Sequence, residues 1–235
     1  IPVYNIEEEA LSKDGVPVWL VTSKVPVHDI EGNVTGIVGT SLDVTDLVKT
    51  RQELIFRDTI LDAVSSIAYS LVRSDDWESL IQKCLTLLGE AIGKDFLFFA
   101  RITPDGESSC QVSHHWTSPA MIPVDEEHLL FCCCELVRMR VDELERVPSV
   151  QGIRSEIPGD ITDISPVILP AAYLFLPVFT SESLWGVIGI LDYHHEEILP
   201  GAIVDILGTA TGIIGSVIDR SQTEQLFHRP VERSL

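Results

Sequence analysis

Apolar and polar positions alternate along the first forty-odd residues, and the alternation ends at Asp43. "IPVYNIEEEAL", "GVPVWLVTSKVPVHD" and "VTGIVGTSLDV" each keep a two-residue period, which predicts three strands. Gly32 and Asn33 in "EGN" suit a tight turn, so the second and third strands form a hairpin. Three strands of this length cannot bury both faces of a sheet. Residues 1–46 are therefore expected to be the back half of a domain whose front half is absent. From Thr45 the period becomes helical. Leu47, Leu54, Leu61 and Ala68 recur at a seven-residue spacing, with Val64 and Leu71 as a partial second row. One apolar row on an otherwise charged helix suits pairing with a second copy; a helix lying on its own domain is the alternative.

Further on, "SDDWESLIQKCLTLLGEAIG" predicts a second helix, capped at Ser74 or Asp75 and stopped at Gly93. Residues 95–102, "DFLFFARI", read as a buried strand, and "SSCQVSHHWT" as the next, across the turn "TPDGE". Residues 124–147 are helical and residues 148–170, rich in proline, read as loop. "AAYLFLPVFT" and "LWGVIGILDYH" form an apolar hairpin through "SES". Residues 199–227 make a long final helix with Ile203, Ile206, Ala210, Ile213 and Val217 on one face. The class is α+β: a partial antiparallel sheet, a long connecting helix, then an antiparallel sheet with its terminal helices on one face and residues 117–170 over the other. A pocket between sheet and cover is the expected ligand site.

Composition narrows the partners. Thirty-six acidic residues against sixteen basic ones give a formal charge of −20, which repels nucleic-acid backbones and anionic lipid heads. The apolar stretch 202–218 holds Asp205 and falls short of a membrane span, so a buried helix is expected. No signal peptide is visible at the start. The five cysteines are an odd count with three adjacent, unlike a secreted disulfide framework, and a reducing cytoplasm fits. Phosphate loops, metalloprotease helices and nucleophile elbows are missing from the sequence, and so are kinase ATP-binding and phosphoacceptor motifs.

The segment carrying Trp19, then Pro26, Asp29, Gly32 and Gly36, then Asp43, Val44 and Thr45 resembles the end of a PAS domain. The resemblance implies that Asp43 and Thr45 couple the sheet to the outgoing helix, with Leu47, Leu54 and Leu61 below them. Physically, Asp43 can accept N–H groups at the helix start and Thr45 can cap it. The part "LFLPVFTSESLWGVIGILDY", with Pro177 before a short hairpin and Gly186 after a Trp, resembles a GAF domain. The implied order is a PAS end at 1–46, a signalling helix at 47–73, a GAF domain at 55–226 and a tail at 227–235. Such strings are typical of sensory histidine kinases, and also of diguanylate cyclases and some transcription activators. The implied role is a non-catalytic sensor fragment, homodimeric through its helices, that binds a small ligand of unknown identity or relays conformational change.

Candidate chemistry centres on "HLLFCCCEL". His128 and Cys132 lie one helical turn apart and could clamp a haem edge; His114 and His115, on a strand, are further candidates. Consecutive Cys133 and Cys134 splay away from that face. Zinc would need four ligands, and no C-x-x-C pair exists, so no metal site is assigned. Phe98, Trp116, Cys133, Tyr173 and Phe175 are the expected pocket lining. A haem- or thiol-based redox sensor is the second reading, and a GAF-fold enzyme such as a methionine sulfoxide reductase the third.

Overall fold

The computed structural model describes residues 1–74, 76–103, 110–121, 125–157, 169–181 and 183–227. The chain divides into two compact units, Ile1–Arg57 and Asp58–Leu235.

In the first unit, β1 (Val3–Leu11), β2 (Pro17–His28) and β3 (Val34–Asp43) form an antiparallel sheet in that order. The β2–β3 turn is held by Asp29, whose Oδ1 accepts the N–H groups of Glu31 (2.9 Å) and Asn33 (2.8 Å). Gly32 there has φ +87°, a backbone state that costs glycine little. Every residue of β3 is exposed, and apolar side chains such as Ile37 and Leu42 stay uncovered. The expected shortage of burial is present in this unit. The helix α1 (Thr45–Val72) starts here and runs without a break into the residues of the second unit.

The second unit contains the later turns of α1, then α2 (Trp77–Ile92), β4 (Phe96–Ile102), β5 (Cys110–Thr117), α3 (Glu126–Leu144), β6 (Val150–Ile153), a 3-10 turn at Arg154–Glu156, β7 (Ala172–Phe179), β8 (Leu184–Asp192) and α4 (Gly201–Phe227). The sheet order is β5-β4-β8-β7-β6, antiparallel throughout. α2 lies over β4 and β5 and α4 over β7, while α3 packs on the sheet from the other side. The layer under α3 is aromatic. Phe98 and Phe175 meet edge to face at 6.2 Å, and Tyr173 and Phe175 lie 5.1 Å apart. Phe98 and Phe175 flank Gly189 on β8, where a Cβ would overlap the Phe98 ring. The glycine is what lets the ring lie flat on the sheet.

Several expectations shift. β6 falls inside the stretch read as loop. The cap of α2 is Asp76, whose carboxylate accepts the Ser79 N–H at 3.2 Å; Asp75 lies outside the described residues, as do most of "TPDGE", 158–168 and the tail from 228. The inward face of α4 is Ile203, Leu207, Ala210, Ile214 and Val217, whereas Ile206 and Ile213 are half-exposed. The stretch Gly201–Glu224 of α4 is also long and apolar enough to cross a membrane by length and composition, with an 18-residue window of mean hydropathy 1.7. Half of that window is buried against the rest of the unit.

Candidate functional site

The junction between β3 and α1 is tied by side chains. Asp43 Oδ1 accepts both the Thr45 N–H (2.9 Å) and the Thr45 hydroxyl (2.6 Å). Thr45 Oγ1 in turn accepts the Trp19 N–H of β2 at 2.9 Å, and the Val44 N–H donates to the Trp19 carbonyl at 2.8 Å. The Thr45 hydroxyl and backbone hold the Asp43 carboxyl below its ordinary value. The sequence predicts Thr45 as a helix cap; its hydroxyl instead binds the neighbouring strand, where the Trp19 amide lies beyond the last paired residue of β3 and takes the side chain as its acceptor. Thr45→Val is expected to leave that amide unpaired and destabilise the first unit by about 1–2 kcal/mol. A lower urea midpoint for the Trp19 fluorescence change would register it.

Along α1 the two rows separate. Ile60, Val64, Ile67 and Leu71 are buried in the second unit, whereas Leu47, Leu54 and Leu61 are exposed. A cleft of about 310 Å³ at the start of the helix is lined by Trp19, Val21, Val44, Leu47, Val48 and Ile55, among others.

In the second unit Phe98, Cys133, Tyr173 and Phe175 come together under α3, all essentially inaccessible to solvent. Trp116 does not join them. Its ring lies over Gly89 of α2, on the opposite side of the sheet. The cause is an irregularity in β5: Phe99 pairs with His114 but Ala100 with Val112, so Ser113 is extra and the alternation flips beyond it. His114 and His115 do face opposite sides. His115 stacks on Phe96 at 5.5 Å and lies 3.5 Å from Glu126 at the start of α3. His114 faces the α2 side, and burial lowers its proton affinity. His128 is exposed and bonded to the capping Asp125. Cys132 is buried, and burial raises its thiol pKa. The four candidate haem ligands therefore do not converge: one lies across the sheet and one is turned outward by its cap.

A second group gathers where β8 ends, in "DYHHEE", whose His194 and His195 read from the sequence as a mixed His/Glu surface of the exit loop. Asp192 carries an ion pair to Lys94 (2.5 Å) and accepts the N–H groups of His194 and His195, both at 2.9 Å. Asp95 accepts the Tyr193 N–H (2.7 Å) and bonds the His194 ring (2.8 Å). Burial alone would raise the Asp192 carboxyl, but Lys94 and the two amides outweigh it and hold it at about 2. Asp95, Asp192 and His194 place ligand atoms within 4.8 Å of one another. The Lys94 ammonium already supplies the positive charge there, so the group acts as a clamp between the α2–β4 corner and the end of β8. At the other end of β8 Trp185 receives the Arg101 guanidinium at 5.0 Å and meets the Trp77 ring at 5.4 Å, beside a cleft of about 290 Å³.

No protein-family model matches the chain. The methanogenesis regulatory histidine kinase FilI of Methanothrix harundinacea (strain 6Ac) is 30% identical over 225 residues, covering 92% of this chain and 25% of that protein. The chain thus spans about a quarter of the length of the curated relative it matches. Among solved structures, a phycocyanobilin-bound GAF domain from a cyanobacterial phytochrome aligns with a TM-score of 0.53 at 12% identity, covering 72% of this chain and 96% of that one. The free methionine-R-sulfoxide reductase of Neisseria meningitidis, in complex with its substrate, aligns with a TM-score of 0.52 at 16% identity, covering 72% and 93%. The GAF domain of a putative sensor histidine kinase from Pseudomonas syringae pv. tomato gives 0.50 at 11% identity, covering 77% and 99%. The chain therefore carries the GAF fold, an antiparallel sheet layered with helices.

Proposed function

We propose that this chain is the sensory part of a histidine kinase, without catalysis of its own, in which a PAS end (1–46) and a GAF domain (55–226) are joined by a signalling helix (47–73). The observation that carries the reading is the path from sheet to helix to core. Trp19, Asp43 and Thr45 bind the sheet to the first turn of α1, and α1 continues unbroken to turns whose Ile60, Ile67 and Leu71 side chains are fully buried. A distortion of the small sheet then has a stiff route to the larger unit. The 30% identity to a regulatory histidine kinase over nearly the whole chain supports the same assignment.

The exposed Leu47, Leu54 and Leu61 row supports homodimerisation. Glutamate at all three positions is expected to convert a dimer to a monomer in sedimentation equilibrium; a parent protein that is monomeric at high concentration would sink the pairing. We assign a small ligand to the layer between α3 and the sheet, and a bilin-bound GAF domain shares this fold. In this chain Phe98, Cys133 and Phe175 fill that layer, so a ligand there requires α3 to lift. The cysteines, all free, suit a reducing cytoplasm.

A further inference from the structure

Two thiols meet at the edge of the larger sheet, one from a strand and one from a helix. Cys110 opens the edge strand β5, and Cys134 lies in the middle of α3. The Cys134 S–H donates to the Cys110 carbonyl oxygen at 3.4 Å, which sets the two cysteines side by side where α3 packs on β5. Their surroundings differ. Cys110 is buried, while Cys134 is partly open to solvent. The Cys110 thiol, the Val112 N–H and the Arg138 guanidinium one turn along α3 all favour the thiolate of Cys134 over its thiol. These donors outweigh burial and hold Cys134 at about 7. The same contacts push Cys110 upward, so it keeps its proton. Cys84, Cys132 and Cys133 are raised by burial. Glu135, next along the helix, opposes the thiolate of Cys134 but is itself paired with Arg138 at 2.5 Å.

We propose that Cys134 and Cys110 are an oxidisable pair, with Cys134 the attacking sulfur toward hydroperoxides and Cys110 the resolving one. In the first step the Cys134 thiolate attacks one peroxide oxygen. The O–O bond breaks, and the leaving alkoxide or hydroxide takes a proton to become alcohol or water. Cys134 is left as a sulfenic acid. In the second step the Cys110 sulfur attacks the Cys134 sulfur, Cys110 gives up its proton, and the hydroxyl departs as water. Two thiols and one hydroperoxide thus yield one disulfide, one alcohol or water, and one further water; the two electrons pass from sulfur to the peroxide oxygens. Cys133 is the wrong partner although adjacent in sequence, since consecutive helical side chains splay by about 100° and its thiol is wholly buried. The product ties α3, the cover of the aromatic layer, to the sheet beneath it. The pair stands on its own geometry and does not depend on the kinase assignment.

Treatment of the unsubstituted chain with an equivalent of hydrogen peroxide at neutral pH, followed by digestion and mass spectrometry, tests this. The expected result is a loss of about 2 Da and a peptide linked through Cys110 and Cys134, reversed by dithiothreitol. Cys110→Ser should instead trap a dimedone-reactive sulfenic acid at Cys134, and Cys134→Ser should show neither product. Before oxidation, iodoacetamide at pH 7 should label Cys134 about tenfold faster than any other cysteine of the folded chain. A disulfide drawn from another pair, absence of any link, or labelling of Cys134 no faster than the rest would overturn the assignment, and each of these three is read on the unsubstituted chain.

Discussion

Alanine at position 215 is expected to lower the thermal unfolding midpoint of the second unit by about 8 °C, corresponding to about 3 kcal/mol. Gly215 lies in the middle of α4 where the helix meets the end of β7. A Cβ there would overlap the Phe179 carbonyl oxygen. That oxygen belongs to the backbone and cannot rotate away. The strand end is also pinned one turn further along the helix, since Asp219 accepts the Ser181 N–H (2.7 Å) and hydroxyl (3.0 Å). The helix must therefore lift off the sheet or the strand must bend. Two other glycines in the same helix supply the control. Gly208 and Gly212 have open space where a Cβ would stand. Alanine at either should be neutral or stabilise by about 0.5–1 kcal/mol through helix propensity. Differential scanning calorimetry of the three variants separates steric exclusion from a general intolerance of α4.

Asp192→Asn is the second large effect, about 3 kcal/mol at pH 7. It leaves the Lys94 ammonium, with a side chain only 15% exposed, facing a neutral amide. The pH dependence follows from the depressed carboxyl. A group whose folded value lies below its unfolded one stabilises the fold fully above the ordinary carboxylate value and stops doing so as pH falls through the folded value. For Asp192 that window runs from the ordinary 3.8 down to about 2. Urea midpoints of the parent and of D192N should differ most at neutral pH and draw together below pH 4. A gap independent of pH would mean that the amide contacts, not the charge, carry the clamp.

The elements that were legible in the sequence are those with long, unambiguous periods. "DFLFFARI" and "LWGVIGILDY" could only be buried strands, and the change of period at Thr45 marks the start of α1. The strand β6, "VQGI", is four residues long and offers no period to read. α4 has two adjacent apolar rows, so its phase was undetermined: Leu207 and Ile214 face inward where the sequence predicts Ile206 and Ile213. The displaced Trp116 follows from one extra residue, Ser113, which no local preference announces. Long-range partners were hidden for the same reason. Trp19 and Thr45 are 26 positions apart and Lys94 and Asp192 98 apart, and only the folded sheet brings them together. Likewise the cysteine run draws attention to Cys132, whereas the thiol with a neighbour is Cys134, through a strand residue outside the run.

The leucine row of α1 has a built-in end point. A straight helix slips by about 20° for every seven residues relative to such a row. The observed exposures track that slip: Leu47 is 68% exposed, Leu54 46% and Leu61 40%, and Ala68 is half-buried. The track on which a second copy could ride thus spirals inward and vanishes after roughly two repeats. Twisting α1 by a fraction of a turn would lengthen or shorten that track, so under the proposed pairing the number of rungs available to a second copy would change with helix rotation.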